Sequence, residues 1–323
     1  MPLSRRQFII ASAALLASAP LLRGCARAPQ LRLGIHHWIG YESLYLAMDL
    51  GLLPEQLVLH EGLVAGDSMQ ALQAGEVDAA CLTLDEALRV IDAGVPLRVL
   101  LIFNLSAGAD MLLVHPQWQS ETLAGARLGV EKGALGALVL RHFLNHSGLT
   151  IDQLQLLDLP PDRQLAMWQA GAVDAMVSYH PTALHLQQEG GRILFDSRQM
   201  PETIFDVLAV REDRLALHSP RLRQLLEAHF AGLMHVKMHR QDALYRIAGR
   251  QQLTPVQVQQ SLGDVVLPGL EANRRYLSGQ NPALTRVVSE LNDLMLAEGL
   301  LNSAVDPSRL FSAGWLPAGE SRG

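Results

Sequence analysis

Gln73-Ala74-Gly75-Glu76-Val77-Asp78-Ala79 returns as Gln169-Ala170-Gly171-Ala172-Val173-Asp174-Ala175, displaced by 96 positions. The displacement holds beyond the heptad. Ala87-Leu88 falls on Ala183-Leu184 and Gly94 on Gly190, while Arg32-Leu33-Gly34-Ile35 matches Arg127-Leu128-Gly129-Val130 at a displacement of 95. The chain therefore carries two copies of one supersecondary plan. In each copy an apolar strand pattern (31–35; 127–130) runs through a loop into a helical pattern (43–50; 134–145), and a second strand pattern follows near Val58 or Leu156. A helix then ends at Gly75 or Gly171, a continuous apolar strand follows (77–82; 173–177), and a new helix opens around Asp85 or Thr182. Strands alternating with helices define an α/β class, each lobe a mixed, mostly parallel sheet flanked by helices. Sheets of this kind bind ligands beyond the carboxyl ends of their strands, so two such lobes line one cleft.

From Arg214 onward the pattern changes to amphipathic helical runs (222–238, 241–250, 282–298), broken at Pro268-Gly269 and at Gly279-Gln280-Asn281-Pro282. This helical C-terminal segment is expected to pack back on the first lobe. Residues 31–113 with 208–323 then form lobe 1 and 114–207 form lobe 2, with 111–114 and 207–210 as the crossings between them. Closure about those two crossings is the expected motion.

The beginning of the chain reads as an address. Ser4-Arg5-Arg6-Gln7-Phe8-Ile9 precedes a short apolar run ending near Leu22, the pattern of a twin-arginine export signal over residues 1–24. Leu22-Arg23-Gly24-Cys25 resembles a lipobox, which makes Cys25 the acylation site and 25–30 a short linker; because Arg23 departs from the usual small residue, cleavage without lipidation is the alternative. Lipidation of Cys25 leaves Cys81 alone, so no disulfide within the chain is possible and stability rests on the core. With 49% hydrophobic and 18% charged residues, some 300 mature residues suffice to build one large or two smaller cores. Removing Arg5, Arg6 and Arg23 takes the formal charge from −6 to −9, which argues against nucleic acid as a partner.

Several stretches resemble the substrate-binding proteins of nitrate, sulfonate and taurine type ABC importers, a branch of the type II periplasmic binding fold. They are Trp38-Ile39-Gly40-Tyr41, Thr83-Leu84-Asp85-Glu86-Ala87-Leu88, Gly108-Ala109-Asp110, and Pro268-Gly269-Leu270-Glu271-Ala272-Asn273-Arg274. The resemblance implies a two-lobed binding protein, periplasmic and lipid-anchored, working as a monomer with an ABC permease and ATPase. It also implies that Trp38, Gly40, Tyr41, Thr83, Asp85, Ser106, Asp110, Gly133, Tyr179, His180 and Asp206 border the cleft. Tyr179-His180 stands where relatives often have an acid after the tyrosine, so the resemblance does not carry their ligand identity over to this chain.

The side chains themselves suggest a ligand chemistry. Trp38, Tyr41 and Tyr179 present aromatic faces able to stack on a flat ligand or hold a cation, with loop packing as the plainer alternative. Asp85, Asp110 and Asp206 are carboxylates whose enclosure demands a cation or N–H donors; helix N-capping at Asp85 and hinge hydrogen bonds at the other two are the plainer alternatives. No arginine stands on the expected rim, and Lys132 before Gly133 is the one cation offered to an anion there. The balance favours an amine or a nitrogen heterocycle.

His36-His37 does not make a metal site, because adjacent strand residues face opposite ways and no HExxH or CxxC spacing is present. No cofactor fingerprint appears. Two other readings remain: a ligand sensor acting on a membrane receptor, and a thiamine-pyrimidine-synthase-like enzyme. The lone Cys81 in an apolar run lacks the cysteine-rich motif of that enzyme.

Overall fold

A computed structural model of the chain describes residues 29–131, 135–278 and 284–318. The expected signal, Cys25 and Gly133 lie outside those residues. Met1–Gln30 is a unit separate from Leu31–Gly323, and the fold below is that of the second unit.

The first copy runs β1 (Leu31–His36), α1 (Glu42–Asp49), β2 (Leu57–Gly62), α2 (Ala65–Ala74), β3 (Ala79–Thr83), α3 (Leu84–Asp92), β4 (Leu97–Ser106) and β5 (Asp110–Val114). The second copy repeats that order: β6 (Arg127–Val130), α4 (Leu135–Ser147), β7 (Gln155–Asp158), α5 (Pro161–Gln169), β8 (Ala175–Tyr179), α6 (Thr182–Gln188), β9 (Arg192–Asp196) and β10 (Phe205–Arg211). After it come α7 (Leu215–Met238), α8 (Arg240–Gln251), α9 (Pro255–Gly263), β11 (Val265–Val266), α10 (Leu270–Leu277) and α11 (Leu284–Ala297).

The sheets reveal an exchange between the copies. One sheet has the order β11-β4-β10-β3-β1-β2 and the other β7-β6-β8-β5-β9, so the fifth strand of each copy lies in the sheet of the other. Within a copy, β1 pairs parallel with β2 and β3, and β6 with β7 and β8, as helical crossovers require. The exchanged strands arrive directly from the opposite sheet and run antiparallel to both neighbours.

This exchange corrects the expected lobe boundaries. Residues 111–114 and 207–210 are not crossings: they lie inside β5 and β10, where ladder hydrogen bonds satisfy both edges of the backbone. The chain passes between the sheets at 107–109 and 197–204.

The repeated heptads have a shared chemical role. Gly75 and Gly171 end α2 and α5 with φ of 72° and 62°, a left-handed conformation that glycine adopts without a Cβ penalty. The aspartate three residues later grips the arginine at the beginning of the copy's first strand, the second residue of β1 and the first of β6. Asp78 accepts from the Arg32 backbone N–H (2.9 Å), Nε (3.0 Å) and Nη2 (2.7 Å), and Asp174 accepts from the same three groups of Arg127 at 2.8, 3.0 and 2.8 Å. Burial opposes ionisation of Asp78, but the Arg32 bonds outweigh it and hold the carboxyl below the usual range; at Asp174 the Arg127 bond dominates in the same direction.

The C-terminal helices dock on the first lobe. Helix α7 crosses α1 so closely that a Cβ on Gly232 would run into the Ser43 carbonyl. Asn273 on α10 treats β4 as a strand partner: its Oδ1 accepts from Ile102 N–H at 2.7 Å and its Nδ2 donates to the Ile102 carbonyl at 3.1 Å.

The clamps differ in burial, Asp78 being 2% and Asp174 18% exposed at the side chain. Asp78→Ala should therefore lower the unfolding free energy by about 3 kcal/mol and Asp174→Ala by about 1–2 kcal/mol, measured by urea denaturation. A larger loss at Asp174 would contradict the burial ordering.

Candidate functional site

The carboxyl ends of β1, β3, β6 and β8 and the starts of β5 and β10 converge on a small, partly open cavity of about 20 Å³. That is room for about one water. His36, Trp38, Ala65, Thr83, Glu86 and Asp206 line it from the first lobe, and Asp110, Glu131, Leu135 and Tyr179 from the second. Six of these ten are repeat mates: 36 and 131 differ by 95, while 83 and 179, and 110 and 206, differ by 96. The register agrees, since Asp206 pairs with Thr83 in one sheet and Asp110 with Tyr179 in the other. The duplicated plan thus brings equivalent positions to one point.

Equivalent aspartates meet different surroundings. Tyr41 donates its phenolic O–H to Asp206 Oδ1 at 2.6 Å, and its ring meets His36 edge-on at 5.3 Å and Phe103 at 5.2 Å. The position displaced by 95 from Tyr41 is Gly136, so the second copy has no phenol there. Neither carboxyl oxygen of Asp110 has a hydrogen-bond partner, although the residue is 1% exposed. Asp206 Oδ2 is likewise unpartnered.

Among the described residues, four carboxyl groups and no lysine or arginine line the cavity; Lys132 lies outside those residues. Burial pushes Asp110 up to about 7 and Asp206 well above the usual carboxylate range, against the opposing bond from Tyr41. Burial, and then the charge of Asp85, raises Glu86 to about 8; burial, and then the charges of Asp158 and Asp162, raises Glu131 to about 7. His36 supplies no compensating charge, because burial lowers it to about 4.

Of the residues expected to border the cleft, Trp38, Thr83, Asp110, Tyr179 and Asp206 are on the cavity wall. Trp38 and Tyr179 meet edge to face across the lobes at 5.8 Å, with Trp38 Nε1 unpartnered. Tyr41 stands one layer behind, holding Asp206. Gly40 is a packing position, where a Cβ would run into the Asn104 amide. Asp85 is buried within the first turn of α3, off the wall; the cap there is Thr83, whose backbone N–H donates to Glu86 Oε2 at 2.8 Å. Ser106 braces the crossing, its Oγ 2.7 Å from Ser197 Oγ. His180 is also off the wall: 1% exposed, its Nε2 contacts Asp264 Oδ2 at 3.0 Å and ties the second lobe to the first.

Sequence reasoning missed His36, Ala65, Glu86 and Glu131 as wall residues, and the 133–136 stretch that the resemblance puts at the cleft reaches the wall at Leu135. Two left a signal. Thr83-Leu84-Asp85-Glu86 is a capping-box pattern that fixes the Glu86 side chain at the helix start, and Glu131 is the repeat mate of His36. Among the described residues no cluster of three or more His, Cys, Asp or Glu is arranged to hold a metal ion. Cys81 is fully buried, and burial pushes its thiol well above the usual range.

Residues 25–248 match the model of the NMT1-like family. Over 154 residues, 46% of this chain, the sequence is 27% identical to the taurine-binding periplasmic protein of Escherichia coli (strain K12), and the matched stretch spans about half (48%) of that relative's length. The fold superposes on the periplasmic aliphatic sulphonate binding protein of Escherichia coli with a TM-score of 0.71 at 19% identity, covering 90% of this chain and 94% of that one. It superposes equally on the alkanesulfonate-binding protein of Xanthomonas axonopodis pv. citri bound to MOPS (TM-score 0.71, 21% identity, 91% and 99% covered). The architecture is the periplasmic binding protein fold, and, with the family match extending over more than half of its length, the chain belongs to the NMT1-like family.

Proposed function

We propose that the chain is the extracytoplasmic solute-binding component of an ABC importer, and that its solute is an amine or nitrogen heterocycle offering N–H donors to the interlobe cavity. The observation that carries this reading is Asp110, buried on the cavity wall with both oxygens unpartnered while its repeat mate Asp206 is held by Tyr41. A buried carboxylate without a partner is costly, and a ligand N–H or ammonium removes that cost. A sulfonate or nitrate would meet four carboxyl groups and, among the described residues, no lining cation. The name of the taurine-binding relative fits a periplasmic binding role.

Binding is proposed to proceed by closure of the lobes. The contacts His180–Asp264 (3.0 Å) and Arg141–Glu298 (2.7 Å) each join the second lobe to the C-terminal helical region of the first, as a closed form requires. In this reading residues 1–24 are a twin-arginine signal, Cys25 carries the lipid that holds a monomeric protein at the membrane, and the permease and ATPase are its partners.

Three outcomes are expected. In a thermal-shift screen, amines and aminopyrimidines raise the melting temperature with the logarithm of concentration above the Kd, sulfonates and nitrate do not, and Asp110→Asn weakens binding about 10- to 100-fold as a charge-assisted bond is lost. Stabilisation by sulfonates alone overturns the reading. Affinity for an amine should climb from pH 5.5 to about 8, as Asp110, Glu131 and Glu86 lose their protons, and calorimetric titration across that window reads it.

Stability of the ligand-free protein runs the other way. These carboxyls have folded pKa values above their unfolded value of about 4, so the folded state binds more protons. Their contribution is fully present below about pH 4 and is lost as pH rises towards 8; Asp110→Asn should flatten that decline and raise stability at pH 8. Lastly, replacing Arg5 and Arg6 by lysine should strand the precursor in the cytoplasm, and its appearance outside in normal amount would remove the twin-arginine assignment.

A further inference from the structure

Asn104, near the end of β4, is fully buried, and neither its Oδ1 nor its Nδ2 has a hydrogen-bond partner. Buried polar groups in folded proteins are almost always paired, so an amide with both ends free calls for partners. The ladder brings one close. Asn104 stands directly opposite Asp206, which is itself opposite Thr83, so the three side chains share the sheet face that carries Asp206 and Thr83 to the cavity wall. Asp206 Oδ2 is also unpartnered, and a carboxylate oxygen only accepts.

The missing side chain of Gly40 brings a second partner. A Cβ there would lie 1.8 Å from Asn104 Nδ2 and 2.6 Å from Trp38 Nε1, so the two nitrogens crowd one small space. Trp38 Nε1 is unpartnered, and an indole N–H only donates. Two donors cannot satisfy each other. A half-turn of the amide about its Cβ–Cγ bond exchanges its ends, setting Oδ1 beside the indole and freeing Nδ2 for Asp206. The second lobe has no counterpart: β9 ends at Asp196, opposite Met111, and offers Asp110 no such neighbour.

We propose that Asn104 is a positioning residue of the solute cavity: its Oδ1 accepts from Trp38 Nε1 and its Nδ2 donates to Asp206 Oδ2, tying the aromatic wall to the acidic one. With Tyr41 on Oδ1, Asp206 then has both oxygens held by the protein, and of the two repeat-related aspartates only Asp110 is left to a solute. The same bond fixes the edge of Trp38 that meets Tyr179 of the second lobe. The pairing needs no solute; its use in binding rests on the cation reading above.

The test is proton and nitrogen NMR of the ligand-free protein, with Trp38 assigned through Trp38→Phe, followed by calorimetric titration. In the unmodified protein the Trp38 indole proton should show no strong nuclear Overhauser contact with the Asn104 amide protons; a strong one marks the unturned amide and overturns the pairing. Asn104→Ala, which removes the acceptor, should shift the Trp38 indole resonance and leave those of Trp118, Trp168 and Trp315 in place. Asn104→Asp, which keeps an acceptor, should restore that resonance. At pH 8, Asn104→Ala should weaken methylamine binding about 10-fold, as a bond holding the wall is lost. An indole resonance indifferent to Asn104→Ala, or an unchanged affinity in that variant, overturns the positioning role. If the unmodified protein does not bind methylamine, the cation reading falls instead, and the Overhauser contact and indole shift alone decide the pairing.

Discussion

The exchange of β5 and β10 between the two sheets is the constraint from which the site follows. Each exchanged strand is hydrogen-bonded on both edges, so neither lobe is complete without a strand from the other copy. The chain must therefore cross between lobes twice, and closure moves whole sheets about those crossings. The same exchange brings Asp110 and Asp206 to the start of strands that enter from the opposite side, level with Tyr179 and Thr83. A pair of repeat-related acids at the interface is thus a consequence of topology, before any selection for a ligand is invoked.

Divergence between the copies then gives the pair its chemistry. The first copy retains Tyr41 against Asp206 and a histidine at position 36; the second has Gly136 and Glu131 in the corresponding places. One aspartate accepts a bond from Tyr41 at one oxygen, and the other has no partner at either. An added carboxyl, Glu131, makes the imbalance larger. Burial raises the pKa values of all four, so protons neutralise them when nothing else does.

How far this was legible in the sequence depends on the kind of signal. The heptad at 73–79 and its return at 169–175 read out the copied strands and helices directly, because helix-ending glycine and buried strand are local patterns. Residues 111–114 and 207–210 also read correctly as apolar, but apolarity does not say which sheet a strand joins, and the crossings were misplaced by a strand's length. Within the site, Trp38, Thr83, Asp110, Tyr179 and Asp206 stand at strand ends where the fold delivers side chains to the cavity. His180 follows Tyr179 by one residue and turns instead to Asp264, a distinction that no pattern in the sequence carries. Glu131 was legible only by carrying the repeat one residue beyond Val130.

Charge and closure are coupled by where the acids sit. Glu86 and Asp206 belong to one lobe, Asp110 and Glu131 to the other, and all four face one small space. Above the pH at which they ionise, like charges on opposite lobes repel across a region with little water to screen them, and the repulsion opposes closure. His180–Asp264 and Arg141–Glu298 act in the opposite sense, but their acidic partners are about one-quarter to one-third exposed, and such pairs contribute modestly. A cation in the cavity converts the repulsion into attraction on both sides at once. For the proposed importer component, a solute cation offsets that repulsion wherever the carboxyls are ionised, and so favours closure of the lobes.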